Sequence, residues 1–208
     1  MKFRGIGYDH ACLCTGISNK RKFSRILETP DIGSRPSLGT YDYPSDKWRS
    51  ALNFILQLSI ECLWKAEYAC VREWLTKERG FTETTIINSK LGFLPENYAL
   101  DRILVGLPVQ LNYEDEPIDV AVPSGLIIPS FHDGNLQSVR IRKFTDEKGY
   151  RYHLVERSSS FPMILGNGGV YVIVESQLDA LLLNQEAGDL IKAIALGSAT
   201  IRPREPVT

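Results

Sequence analysis

The chain has 208 residues, 43% hydrophobic and 24% charged, with a net charge of −1, a composition that buries a core and excludes a disordered tail. No apolar run approaches the ~18 residues that cross a bilayer, and "MKFRGIGYDH" lacks a signal-peptide centre, so a cytoplasmic protein without a membrane partner is expected. Four cysteines, spaced C-x-C (Cys12, Cys14) and C-x7-C (Cys62, Cys70), make neither a disulfide framework nor a four-thiolate zinc site.

Residues 1–43 are rich in Gly, Ser, Pro and basic residues and lack sustained periodicity, which predicts an extended or poorly structured lead-in. It carries the basic run Lys20, Arg21, Lys22 and Arg25. His10, Cys12 and Cys14 do not have the paired spacing of a zinc ribbon, so no zinc is expected. Residues 44–99 read as a helical subdomain. Ser45 or Asp46 can cap a helix in which Trp48, Leu52, Ile55, Ser59, Cys62 and Leu63 recur every three or four residues, a stripe continuing to Trp74 and Leu75. The helical region runs to Arg79 with a break near Ala66, and Gly80 stops it. Thr82 caps a short second helix, "ETTIINSK", which "LGFLP" ends.

Residues 100–168 shift to strands: "RILVGLPVQL", "SGLIIPSF", "LQSVRIRKF" and "YRYHLVE", with "HDGN" as a tight hairpin turn. In "SVRIRKF" the alternation puts Val139 and Ile141 on one face and Arg140 and Arg142 on the other. Between Gly134 and Ser158, six basic residues (Arg140, Arg142, Lys143, Lys148, Arg151, Arg157) stand against three acids. Such a face attracts phosphates, although solvated charges give the same pattern.

Residues 169–208 form a βαβ unit: strand "VYVIV", helix "SQLDALLLNQEAG", strand "IKAIALGS". The unit favours a parallel sheet covered by helices. Glu175 ends the first strand, where α/β sheets gather functional groups, and Asp179 follows about one helical turn later. Two carboxylates there suit Mg²⁺, and Glu175 also suits general acid–base work. Helix capping by Glu175, with Asp179 favoured by the helix dipole, fits the spacing equally well.

"VIVESQLDALLL…IALGSAT" resembles the opening of a Toprim domain, the α/β metal-binding module of bacterial-type primases, topoisomerases and related nucleases. "WLTKERGFTETTIINSKLGFLP" is similar to the RG(L/F)…LG(Y/F) segment of bacterial-type (DnaG-like) primases, at Arg79, Gly80, Phe81, Ile86, Leu91, Gly92 and Phe93. "GLIIPSFHDGNLQSVRIRKF" and "YRYHLVERSSSFPMILG" follow in the family's order, and the wording is nearest to the primase module of phage or mobile-element primase-helicases. The resemblance implies an α+β fold: an N-terminal helical subdomain, a mixed β-sheet, then the first βαβ unit of a Toprim domain.

It also implies a function, the synthesis of short RNA primers from ribonucleoside triphosphates on single-stranded DNA, with a replicative helicase as a possible companion. Glu175 would be the catalytic and metal-binding acid and Asp179 a second metal carboxylate. Arg140, Arg142, Lys143 and Arg151 would bind template or nucleotide phosphates, with Arg79 and Lys90 as further template contacts. Ser158 and Ser159 would lie beside the nucleotide, and His153 stands where the family has an apolar residue. The family's D-x-D pair does not occur here, so the sequence is expected to be part of a longer primase or an inactive relic. Mg²⁺ is therefore expected only for a complete Toprim domain. A noncatalytic single-stranded nucleic-acid-binding module is the alternative. A Toprim nuclease or topoisomerase fits the segments before Glu175 less well.

Overall fold

The computed structural model describes residues 43–144 and 151–197. The lead-in, its basic run and its three candidate zinc ligands, Lys148 and the "SAT" of the final turn lie outside those residues.

Helix α1 (Asp46–Trp64) begins where Ser45 Oγ accepts the Trp48 N–H at 3.2 Å, the expected cap. Its stripe from Trp48 to Leu63 is buried. The chain breaks at Lys65, turns through Ala66–Tyr68 and resumes as α2 (Ala69–Glu73). The last turn, Trp74–Glu78, has π-helical bonding. One extra residue per turn brings the consecutive Trp74 and Leu75 both into the core. Gly80, at φ +76°, ends the helical run. Helix α3 (Glu83–Asn88) is capped by Thr82, whose Oγ1 accepts the Thr85 N–H at 3.1 Å.

"LGF" does more than end a helix, because Gly92–Leu94 is strand β1. It joins β4 (Gly125–His132), β5 (Asn135–Arg142) and β6 (Tyr152–Leu154) in an antiparallel sheet of order β1-β4-β5-β6. Asp133 and Gly134, at φ +48° and +76°, make the expected β4–β5 hairpin turn, with both central residues left-handed. Strands β2 (Tyr98–Leu100) and β3 (Val120–Val122) pair separately. Strands from within 44–99 thus pair with strands from within 100–168.

"RILVGLPVQL", expected as a strand, is a turn from Arg102 to Gly106 followed by irregular chain. Asp101 Oδ1 accepts the Ile103 N–H at 2.7 Å and its carbonyl accepts the Val105 N–H at 3.3 Å. This local competition for backbone donors overrides β propensity. Arg102 is buried there. Its guanidinium donates to both carboxylate oxygens of Glu156 (2.8 and 2.7 Å) and to Pro108 O (2.9 Å). Trp48 Nε1–H donates to Glu156 O at 2.8 Å, so one residue ties the turn to α1.

The Arg102 hydrogen bonds hold the Glu156 carboxyl below its usual range, and Glu156 in turn raises the Arg102 pKa. A depressed carboxylate pKa contributes stability above the ordinary carboxylate range, and that contribution is lost as pH falls through the folded-state pKa. The Glu156 side chain is 44% exposed, so screening holds the pair to a modest value. Glu156→Gln is expected to cost about 1–2 kcal/mol at pH 7 and progressively less as pH falls through the depressed Glu156 pKa. Thermal unfolding of parent and variant across an acid pH series checks this.

The third sheet has order β7-β9-β8. Strand β8 (Val170–Val174) and β9 (Ile191–Ala195) are parallel and joined by α4 (Gln177–Ala187). The parallel pairing expected of the βαβ unit is present, and β7 (Met163–Leu165) adds an antiparallel neighbour to β9 that makes the sheet mixed. β8 is an edge among the described residues, with Val170, Tyr171 and Ile173 all more than half exposed.

Two cores follow from the alternation of β4 and β5. Ile127, Val139 and Ile141 face α1, whereas Leu126 and Ile128 face a second core that includes Trp74, Phe81, Leu178 and Ala195. The βαβ unit therefore docks on the sheet face opposite α1.

Candidate nucleic-acid interface

Register decides which side chains meet the βαβ unit. Arg140 pairs with Ile128 and Arg142 with Leu126, so both arginines share the face that carries the second core, as the alternation predicts. Arg140 is half-buried, and its Nη1 donates to Gly197 O at 2.7 Å, at the turn after β9. Burial lowers its pKa. Gly197 N–H in turn donates to Glu175 O at 2.8 Å. The structure thus brings Arg140 to the strand ends that carry Glu175.

Arg142 lies over the Trp74 ring, with Cζ 4.2 Å from its centroid and 5.6 Å from that of Phe144. Trp74 meets Phe144 edge-on at 5.3 Å. Arg79 Cζ stands 5.8 Å from the same Trp74 ring. The indole is shared by two guanidiniums, which π-electron density favours.

Glu175 is exposed at the end of β8, and its neighbour Ser176 caps α4. Ser176 Oγ accepts the Asp179 N–H at 3.2 Å and donates to Asp179 Oδ2 at 2.8 Å. The cap is therefore Ser176, not Glu175, which removes that part of the structural explanation for the acid. Asp179 also pairs with Arg79 at 3.3 Å, so each neutralises the other. Gln185 reinforces this docking: Oε1 accepts the Thr82 N–H at 2.8 Å and Nε2 donates to Gly80 O at 3.0 Å.

Other predicted residues are placed differently. Lys143 N–H donates to Arg151 O at 2.9 Å, which sets these two basic residues side by side beyond the β5 end. Lys90, at φ +53°, is exposed with its ammonium 4.6 Å from the Phe131 centroid. Ser158 Oγ accepts the Val139 N–H at 3.1 Å. Ser159 is buried and its Oγ accepts the Phe161 N–H at 3.1 Å. The Ser158 hydroxyl and the Ser159 N–H, which donates to Gln137 O at 2.7 Å, hold the loop against β5, whereas the Ser159 hydroxyl braces the loop itself. His153 Nε2 lies 3.2 Å from Ala121 O, and burial lowers its pKa.

Trp74 and Gln185 did not stand out in the sequence. Trp74 read as one more apolar position of a helical stripe, and no local signal marks Gln185. Among the described residues no three Asp, Glu, His or Cys side chains converge. The donors therefore fit Mg²⁺ only in part: Glu175 is exposed at the strand end and Asp179 is engaged by Arg79.

An antiparallel sheet with helix α1 on one face and a βαβ unit on the other has the fold of DnaG-type primase catalytic domains. No protein-family model and no curated protein matches the sequence. Solved structures do. The RNA polymerase domain of Mycobacterium tuberculosis primase DnaG matches with a TM-score of 0.55 at 17% identity, covering 77% of this chain and 59% of that one. A DNA primase domain from Pseudomonas aeruginosa matches at 0.55 and 16%, covering 74% and 55%. A DnaG primase catalytic domain bound to single-stranded DNA matches at 0.52 and 14%, covering 71% and 55%. At such identities the likeness is one of fold. The chain spans between half and three fifths of the length of these structures.

Proposed function

We propose that this chain forms the template-binding face and the first part of the active site of a DNA primase core. The observation that carries the reading is that the arginine-bearing face of β5 meets the strand end that bears Glu175, through Arg140 and the Gly197 turn. The fold likeness to a primase domain bound to single-stranded DNA supports it. In this reading Arg142, Lys143 and Arg151 contact template phosphates, and Glu175 contributes to a Mg²⁺ site completed by carboxylates other than those described. The whole protein would extend RNA primers from ribonucleoside triphosphates, working beside a helicase. The Asp179–Arg79 pair favours a second reading, binding of single strands without synthesis, because it engages one of the two expected metal acids.

The test is fluorescence anisotropy with a single-stranded oligonucleotide across a salt series. Each phosphate contact contributes about 0.7 to the slope of log K against log[salt]. Three contacts give a slope of about −2, and Arg142→Ala reduces it by about 0.7 with a several-fold loss of affinity. Absence of binding, or a slope untouched by Arg142→Ala, would overturn the template-face reading. In the gene's full product, Glu175→Gln is expected to abolish Mg²⁺-dependent primer synthesis while leaving binding intact. A product that binds without synthesis in the parent form decides for the second reading.

A further inference from the structure

Arg140 has a property that a simple phosphate ligand does not need. It is half-buried on the inner face of β5, its Nη1 donates to Gly197 O at 2.7 Å, and its Nε is buried without a hydrogen-bond partner. No carboxylate pairs with it among the described residues. The guanidinium also occupies the space that a side chain at residue 197 would need. A Cβ at residue 197 would stand 2.9 Å from Arg140 Cζ and nearer still to Nη2. Gly197 itself has φ +77°, a conformation that glycine adopts without penalty, and its N–H donates to Glu175 O at 2.8 Å.

A continuous path thus runs from the third sheet strand to the acid: Arg140 side chain, Gly197 backbone, Glu175 backbone. We propose that Arg140 is a positioning residue that fixes the β9 turn and, through Gly197, the strand end that presents Glu175. Template phosphates then fall to Arg142, Lys143 and Arg151. The role given to Glu175 rests on the primase reading; the positioning of its backbone does not. Backbone groups at strand ends exchange conformations readily unless a further contact holds them, and a site held to within a fraction of an ångström needs such a support.

Three variants of the full chain test this: Arg140→Met, Arg142→Met as the control, and Gly197→Ala. Amide hydrogen exchange is measured at Gly197 and at Ala195, the last residue of the central strand β9, together with the salt slope of single-stranded DNA binding. Arg140→Met is expected to speed exchange at Gly197 about tenfold, leave Ala195 unchanged and leave the salt slope as in the parent. Arg142→Met is expected to do the reverse, with Gly197 protected and the slope reduced. Gly197→Ala is expected to lower Tm in the parent and to lower it less in the Arg140→Met background, where the clash is gone.

Parental exchange at Gly197 in a folded Arg140→Met protein would overturn the proposal. So would a salt slope reduced as much by Arg140→Met as by Arg142→Met, since that is the behaviour of a phosphate ligand. If the parent does not bind single-stranded DNA at all, the primase reading fails, while the exchange result still decides the positioning of the turn.

Discussion

Trp74→Ala is expected to lower Tm by about 10 °C. Trp74 is 8% exposed and packs in the core that joins the helical subdomain to the βαβ unit. Truncating a buried indole costs about 3–5 kcal/mol through lost burial and the cavity left behind. For a protein of this size each kcal/mol shifts Tm by about 2–4 °C. The π-helical turn makes the loss harder to absorb, because the neighbouring Leu75 is already fully buried and cannot move into the space. A second variant separates packing from alignment. Trp74→Leu keeps apolar volume but removes the ring beneath Arg142 and Arg79. It is expected to recover about half of the stability while still weakening single-stranded DNA binding, since the arginine loses a cation–π contact worth roughly 0.5–2 kcal/mol. Calorimetry and anisotropy on the same preparations check both parts. Parental affinity in Trp74→Leu would show that the ring serves packing alone.

Gly92→Ala is the second large effect. Helix α1 approaches β1 at Ser59, a fully buried residue whose hydroxyl donates to Leu56 O at 2.7 Å. A Cβ on residue 92 would stand 2.7 Å from Ser59 Cβ and closer to its Oγ. Neither neighbour is the end of a flexible side chain, so helix and sheet must separate. Overpacking of this kind costs about 1–3 kcal/mol and sometimes more, and a Tm fall of about 6 °C is expected. Exchanging the side chains tests the cause. Ser59→Gly alone costs about 0.5 kcal/mol of helix propensity, yet combined with Gly92→Ala it should leave the protein more stable than the two losses summed. Simple additivity in that thermodynamic cycle would place the strain elsewhere.

These residues also show where sequence patterns stop. The period of α1, the Ser45 and Thr82 caps, the break near Ala66 and the Asp133–Gly134 turn are local. Each depends on a side chain and a backbone group within about four residues, and each was legible. The "LGF" strand and the strand at Met163 were not, because three-residue runs carry too little periodicity and exist only through their partners. The Arg102 turn misled for a related reason. Its apolar letters suit a strand, but Asp101 captures the local donors and Glu156, 54 residues away, captures the arginine.

The sequence by itself determined the α+β order, the common face of Arg140 and Arg142, and the placing of Glu175 at a strand end, because each follows from local periodicity. Only the tertiary structure decided what those residues face. Arg142 meets Trp74, Arg79 meets Asp179 across 100 residues, and Arg140 meets the turn that carries Glu175's hydrogen bond. The physical reason is that a side chain's direction is local, whereas its partner is chosen by the packing of one hydrophobic face on another. Buried apolar area sets that packing with no regard to sequence separation.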